Sequence, residues 1–205
     1  MPSLTYTPPG YTTTNVVYGT GVLLYSAPQS TTLGAAVPGD ANLGVYTSWS
    51  GLGWSYVGAV LDGVTLTYAP TTQDIVIEEQ PTPVGVAVST ANLTITANMS
   101  EETMTNVNLA WGNSGTITPT SAGAGQPGKN VLVLSTTFQQ VSVAVIGKNR
   151  FGFASVLYIP FMLSAGQVQT AYRRAAQQRV YPLTFNSVCA FNQITWTELN
   201  AVATS

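Results

Sequence analysis

Alternation with period two dominates the middle of the chain. Val64, Leu66 and Tyr68 alternate with Thr65 and Thr67, which puts apolar side chains on one face of a strand and hydroxyls on the other. Within WSYVGAVLDGVTLTYA (54–69), Asp62-Gly63 is a two-residue turn signal, so the segment is expected to form a hairpin. The next stretch, TTQDIVIEEQPTPVG (71–85), reads as a strand with Ile75 and Ile77 toward the core and Asp74, Val76 and Glu78 on the opposite face. Pro81 and Pro83 end its pairing, because proline has no N–H to donate to a ladder. Val84, Val86 and Val88 open another strand. The apolar parity then changes to Leu93, Ile95 and Ala97, which implies a bulge or turn near 89–92.

The period changes at SEETMTNVNLAWG (100–112), which predicts a helix over about 101–111. Ser100 suits an N-cap, and Glu101 and Glu102 then fall in the first turn, where the helix dipole favours anions. Met104, Val107 and Trp111 share one face, and Gly112 stands where a left-handed terminating residue belongs. NSGTITPTSAGAGQPG (113–128) reads as a flexible loop. Strand patterns resume at 131–134, at Val141, Val143 and Val145, over 151–163, and at Ile194 and Trp196, while 167–185 is ambiguous between helix and strand. Toward the N-terminus, Val22–Tyr25 is a short strand, and the polar stretch after it, through residue 53, predicts an interaction arm whose removal leaves a foldable body. The expected fold is mainly β: a β-sandwich or half-barrel with one flanking α-helix and extended loops or arms, in a single domain over 1–205. Residues 1–53 form its arm region and 54–200 its core.

Composition changes the picture in one respect. Hydrophobic residues make up 45% of the 205 positions, enough for a sizeable core, but charged residues only 7%, against roughly 25% in an average soluble domain. A surface so poor in charge suits a protein covered largely by other copies of itself. The few charges are segregated. Asp40, Asp62, Asp74, Glu78, Glu79, Glu101 and Glu102 precede residue 129, and Lys129, Lys148, Arg150, Arg173, Arg174 and Arg179 follow, with Glu198 the only later acid. An acidic half and a basic half can attract one another between copies. The opening MPSLTYTPPG has neither a basic stretch nor an apolar run, so no secretion signal is expected. The apolar run 151–166 is too short to span a bilayer, and no membrane association is expected.

The side chains on hand limit chemistry. Histidine is absent and Cys189 is the lone cysteine, which removes Ser-His-Asp and Cys-His nucleophilic arrangements, the usual zinc sites and any internal disulfide. GAGQPGKN (123–130) approaches a phosphate-binding loop. It fails because Asn130 replaces the magnesium-holding hydroxyl, Pro127 lacks an N–H, and VLVLSTT after it is strand-like rather than helical. Glu78 and Glu79 are adjacent, so on a strand they point apart and cannot work as an acid–base pair. No enzyme activity, metal or cofactor is expected.

The order of elements carries a resemblance. The VGAVLDGVTLTY hairpin is followed by a DIVIEEQ strand broken at Gln-Pro, a long strand, an acidic-started helix ending LAWG, and a basic, Gln-rich run into VYPLTF. This succession, clearest over 54–112, resembles the major tail protein (tail tube protein) of long-tailed bacteriophages. The resemblance implies a β-sandwich flanked by a helix, hexameric rings stacked head-to-tail into a hollow tube, and DNA passing through the lumen. It also implies tape measure, terminator and baseplate or tip proteins as partners, and a place in the virion after synthesis in the bacterial cytoplasm. On that expectation Asp74 and Glu78 line the lumen, where carboxylates repel DNA and let it slide, or else grip a neighbour's arginines. Glu79, Glu101, Glu102, Lys148, Arg150, Arg173, Arg174 and Arg179 are the candidate inter-subunit contacts; the two helix glutamates serve equally as helix-capping acids. The alternative is a capsid decoration or glycan-binding β-sandwich adhesin using Tyr46, Trp49 and Trp54 as its aromatic platform.

Overall fold

The computed structural model describes residues 21–76, 82–101, 103–112, 114–164, 168 and 180–199. Of the described residues, 52% are strand and 11% helix, which places the chain in the mainly β class. Ten strands are described: β1 (Val22–Ser26), β2 (Ser55–Tyr56), β3 (Val60–Ile75), β4 (Gly85–Met99), β5 (Thr116–Thr120), β6 (Lys129–Val133), β7 (Gln140–Lys148), β8 (Ala154–Ser164), β9 (Tyr181–Ser187) and β10 (Thr195–Glu198). Two helices accompany them, α1 (Tyr46–Ser50) and α2 (Met104–Ala110). The main sheet runs β2-β1-β7-β8-β9-β4-β3, all its described pairings are antiparallel, and β10 also pairs with β8.

One edge of β8 serves two neighbours. Ser155–Tyr158 pair with β10, and Met162–Ser164 pair with β9. Between them lies Pro160, at a bulge where the ladder to β7 jumps from Val143↔Ile159 to Val141↔Met162. Proline has no N–H, so a bulge is one of the few places a buried strand can hold it. The bulge bends β8, and the sheet folds over itself. Leu93, Ile95, Leu183 and Phe185 of β4 and β9 then pack against Leu23, Val143, Leu157 and Ile159 of β1, β7 and β8.

The opposite face of β1, β7 and β8 is also covered. Leu24, Ala144 and Val156 pack under Ala35, Leu43, Trp49 and Trp54. Trp49 is 0% exposed and donates from Nε1 to the Leu43 carbonyl (2.8 Å), while Trp54 donates to the Ala36 carbonyl (2.6 Å). The two indoles meet edge-to-face at 5.0 Å. Residues 27–53, expected as part of a detachable arm, therefore form with Trp54 a third layer. The same burial removes Trp49 and Trp54 as a glycan platform; Tyr46 alone of the three is exposed, at 47%.

Other local expectations shift for physical reasons. Asp62 and Gly63 both have positive φ (63° and 80°), as a two-residue turn requires, but the chain does not reverse there. They form a bulge within β3, whose pairing to β4 passes from Leu61↔Asn98 to Val64↔Ala97. The helix begins later than expected: Thr103 is the N-cap of α2, its Oγ1 accepting from the Asn106 N–H at 3.1 Å. Ser100 and Glu101 are drawn instead to the start of β3, where the Ser100 hydroxyl donates to the Ala59 carbonyl and Glu101 Oε1 accepts from the Ala59 N–H. The buried face of α2 is Asn106, Leu109 and Ala110, not Met104 and Trp111. Gly112 closes the helix with φ 61°, as its position predicts. The segment 113–128 contains β5, which pairs with β6, so this expected loop includes one arm of a hairpin and the connection to the other. The bulge expected near 89–92 is present: Thr71 faces Thr90 and Thr72 faces Val88, with Ser89 between.

Two substitutions probe this architecture. Trp49→Ala should lower unfolding free energy by about 3–5 kcal/mol in urea denaturation, the usual loss for an emptied buried aromatic site. Gly63→Ala meets nothing within 4 Å, so any loss is backbone strain alone, about 1–2 kcal/mol for a left-handed alanine. An unchanged midpoint would show that the bulge is not held at positive φ in solution.

Candidate assembly surface

β4 pairs with β9 only from Thr94 to Met99. Before Thr94 its one described strand partner is β3, and the pairs from Tyr68↔Leu93 to Ile75↔Gly85 form a two-stranded ribbon beyond the sandwich. At about 3.3 Å per residue the ribbon extends about 23 Å. Paired residues point to the same face. On one face lie Leu66 with Ile95, Tyr68 with Leu93, Pro70 with Ala91, Thr72 with Val88, and Asp74 with Val86. On the other lie Thr65 with Thr96, Thr67 with Thr94, Thr71 with Thr90, and Gln73 with Ala87. The bulge at Ser89 lets Val86 and Val88 share a face with Leu93 and Ile95 despite their opposite parity.

On the β4 side this face therefore stays apolar from core to solvent, while on the β3 side it passes to Thr72 and Asp74. Ile95 and Leu93 are 1% and 5% exposed, but Val88, Val86 and Val76 are 61%, 63% and 64% exposed. A monomer rarely leaves a continuous apolar stripe of this kind uncovered. β3 is also the terminal strand of the sheet order, and among the described residues no strand pairs with its outer edge.

The foot of the ribbon forms one wall of an open groove of about 300 Å³, lined by Val64, Leu66, Val145, Leu157 and Trp196, with Lys148 and Glu198 on its rim. Trp196 is 65% exposed. At the far end of β7 the picture repeats in a smaller form. The N–H of Gln139, just before β7, donates to Gly112 beside α2. There Phe138 is 73% exposed, and Val131 and Val133 form the open face of the β5–β6 hairpin. Apolar patches thus stand at both ends of β7.

The structure separates the residues expected to be functional. Asp74 is exposed and lies on the apolar face, and Ile75, expected in the core, is half-exposed on the threonine face. Glu101 ties the start of β3 and is not a helix residue. Lys148 ends β7 on the groove, and the Arg150 guanidinium stacks 4.6 Å from the Phe151 ring centroid. Glu78, Glu79, Glu102, Arg173, Arg174 and Arg179 lie outside the described residues. Sequence reasoning did not single out Val86, Val88 or Trp196 as surface residues, although the Val84-Val86-Val88 alternation was visible. No protein-family model matches the chain, and no curated protein matches it either.

Cys189 is half-buried, and burial pushes its thiol pKa up. A raised pKa leaves less thiolate at any given pH below it, and thiolate is the reactive species. A disulfide-exchange reagent at pH 7.5 should therefore label native protein at least about tenfold more slowly than urea-unfolded protein. Equal rates would show that the thiol is open in solution.

Proposed function

We propose that this chain is a non-enzymatic structural protein that assembles with copies of itself, stacking head-to-tail as rings into a hollow tube of the kind that forms the tail of a long-tailed bacteriophage. The observation that carries this is the β3–β4 ribbon, whose core-facing stripe continues into solvent. The described residues form a packed core but leave an apolar surface for which a second molecule is the natural cover. The patches at opposite ends of β7 support a heterologous contact, in which one end of a copy meets the other end of the next. Such contacts extend into filaments rather than closing as pairs. Charged side chains are too few to keep copies apart by repulsion.

The tail-tube form of this assembly, with hexameric rings, a DNA-conducting lumen and tape measure, terminator and tip partners, rests on the resemblance in the order of elements. Asp74, set among valines on the stripe, fits a subunit contact better than a lumen lining. The adhesin alternative loses its main support with the burial of Trp49 and Trp54.

Purified protein should form rings or hollow tubes in negative-stain micrographs and sediment as polymer. Replacing 69–92 by Asn-Gly, which joins the paired Tyr68 and Leu93 through a two-residue turn, should leave a folded monomer that forms neither. Tubes of normal appearance from the shortened chain would overturn the role given to the ribbon.

A further inference from the structure

The groove at the foot of the ribbon and the stripe on the ribbon are complementary in chemistry. The groove is apolar along Val64, Leu66, Val145 and Leu157 and carries a cation, Lys148, at its rim. The stripe is apolar along Val76, Val84, Val86 and Val88, and among the described residues of β3 and β4 that share its face Asp74 is the one charge. No ion pair joins Lys148 to Glu198 on the same rim, or Asp74 to any described residue. The stripe therefore brings an apolar surface with one anion, and the groove an apolar surface whose rim carries the cation Lys148 beside an anion, Glu198, which an out-of-register carboxylate meets instead.

A single copy cannot bring the two together. Val64 and Leu66 are the groove wall, and Asp74 lies eight residues further along the same unbroken strand, about 26 Å away at strand rise. The ribbon leads away from its own groove, so the stripe must enter another molecule's. We infer that the groove receives the ribbon of a second copy of this chain, with Asp74 of the incoming ribbon paired to Lys148 of the receiving groove. This deepens the self-assembly reading and rests on it.

The energetics give the pair a selective role. Docking the stripe removes water from the Asp74 carboxylate, and a desolvated charge left without a partner opposes association strongly. Docked in register, the carboxylate meets Lys148, and the attraction offsets the desolvation. Docked out of register, or against a foreign apolar surface, it meets no cation. In the free protein the same charge keeps an exposed edge ribbon from sticking indiscriminately, as inward-pointing charges on edge strands do elsewhere.

The test is a charge exchange on the full chain, with assembly followed by sedimentation and negative stain. Asp74 and Lys148 are both exposed, so the variants should fold, which circular dichroism checks. Asp74→Lys and Lys148→Glu should each raise the protein concentration needed for assembly at least about tenfold, and the double variant should return it to within about threefold of wild type. As a second readout, Val86→Cys and Trp196→Cys are placed on separate chains in a Cys189→Ser background, one carrying a size tag. Mixed and mildly oxidised, they should give a mixed dimer in excess of both like dimers. Wild-type polymer with no rescue in the double variant and no mixed dimer would overturn this contact while leaving self-assembly standing. Wild-type protein that stays monomeric throughout would overturn the assembly reading itself.

Discussion

Everything in this fold depends on how β8 carries a proline through a strand buried on both faces. Pro160 offers no N–H, and its carbonyl still needs a donor. The hydroxyl of Ser142, itself 0% exposed, donates to that carbonyl at 2.7 Å and accepts the Ala35 N–H at 2.8 Å. Tyr158 completes the link by donating to the Ala35 carbonyl at 2.9 Å. Buried backbone groups left unpaired cost about 1–3 kcal/mol each, so this small network holds both the bulge and the segment that crosses it. The bulge turns β8 from the β7–β10 layer into the β9–β4 layer. The same hydroxyl pins Ala35, and with it the segment that carries Trp49 and Trp54 over the outer face. Burial also raises the pKa of the Tyr158 phenol, which keeps it a neutral donor across the physiological range.

The ribbon follows from that turn. Once β4 and β9 lie over the β7–β8 layer, β3 and β4 can pair further than β9 can follow, and the extra length has no layer beneath it. Thr on one face and Val on the other make the ribbon amphipathic, yet only the Thr face is suited to water. A two-stranded ribbon is marginal by itself. Its exposed stripe is therefore the surface of the monomer that the proposed assembly would cover.

Sequence and structure agree where the signal is local and covalent. The parity change between Val88 and Leu93 can only be reconciled with one buried face through an extra residue, and the bulge at Ser89 supplies it. Gly112 ends α2 because few other residues accept that conformation. Agreement fails where one local conformation serves two purposes. Asp62-Gly63 adopts the positive φ pair of a hairpin turn, but whether such a pair reverses a strand or bulges it depends on β4, some thirty-five residues on. Ser100 and Glu101 are good helix starters, yet Ala59 claims both through backbone hydrogen bonds. Trp49 and Trp54 lie in Thr- and Gly-rich surroundings with no period, so their burial is a property of the facing sheet alone. Alternation likewise cannot distinguish a strand over a core from a strand over solvent, which is why the stripe read as ordinary sheet.

The scarcity of charge makes the position of each remaining charge more informative. On a highly charged surface one carboxylate among many has little effect on association. On the ribbon the side chains around Asp74 on its face are Val76, Val86, Val88 and the hydroxyl of Thr72, so among the described residues no second charge shares its desolvation. Assembly through this face therefore has to supply a partner for that one carboxylate, and a misplaced partner is penalised by a charge that no neighbour can relieve. Apolar area provides the attraction but is indifferent to register, since Val86 and Val88 offer nearly the same surface two residues apart. Register must come from a directional or electrostatic feature. In the proposed contact Asp74 is the feature that would carry it, and a mostly apolar interface can in this way still be specific.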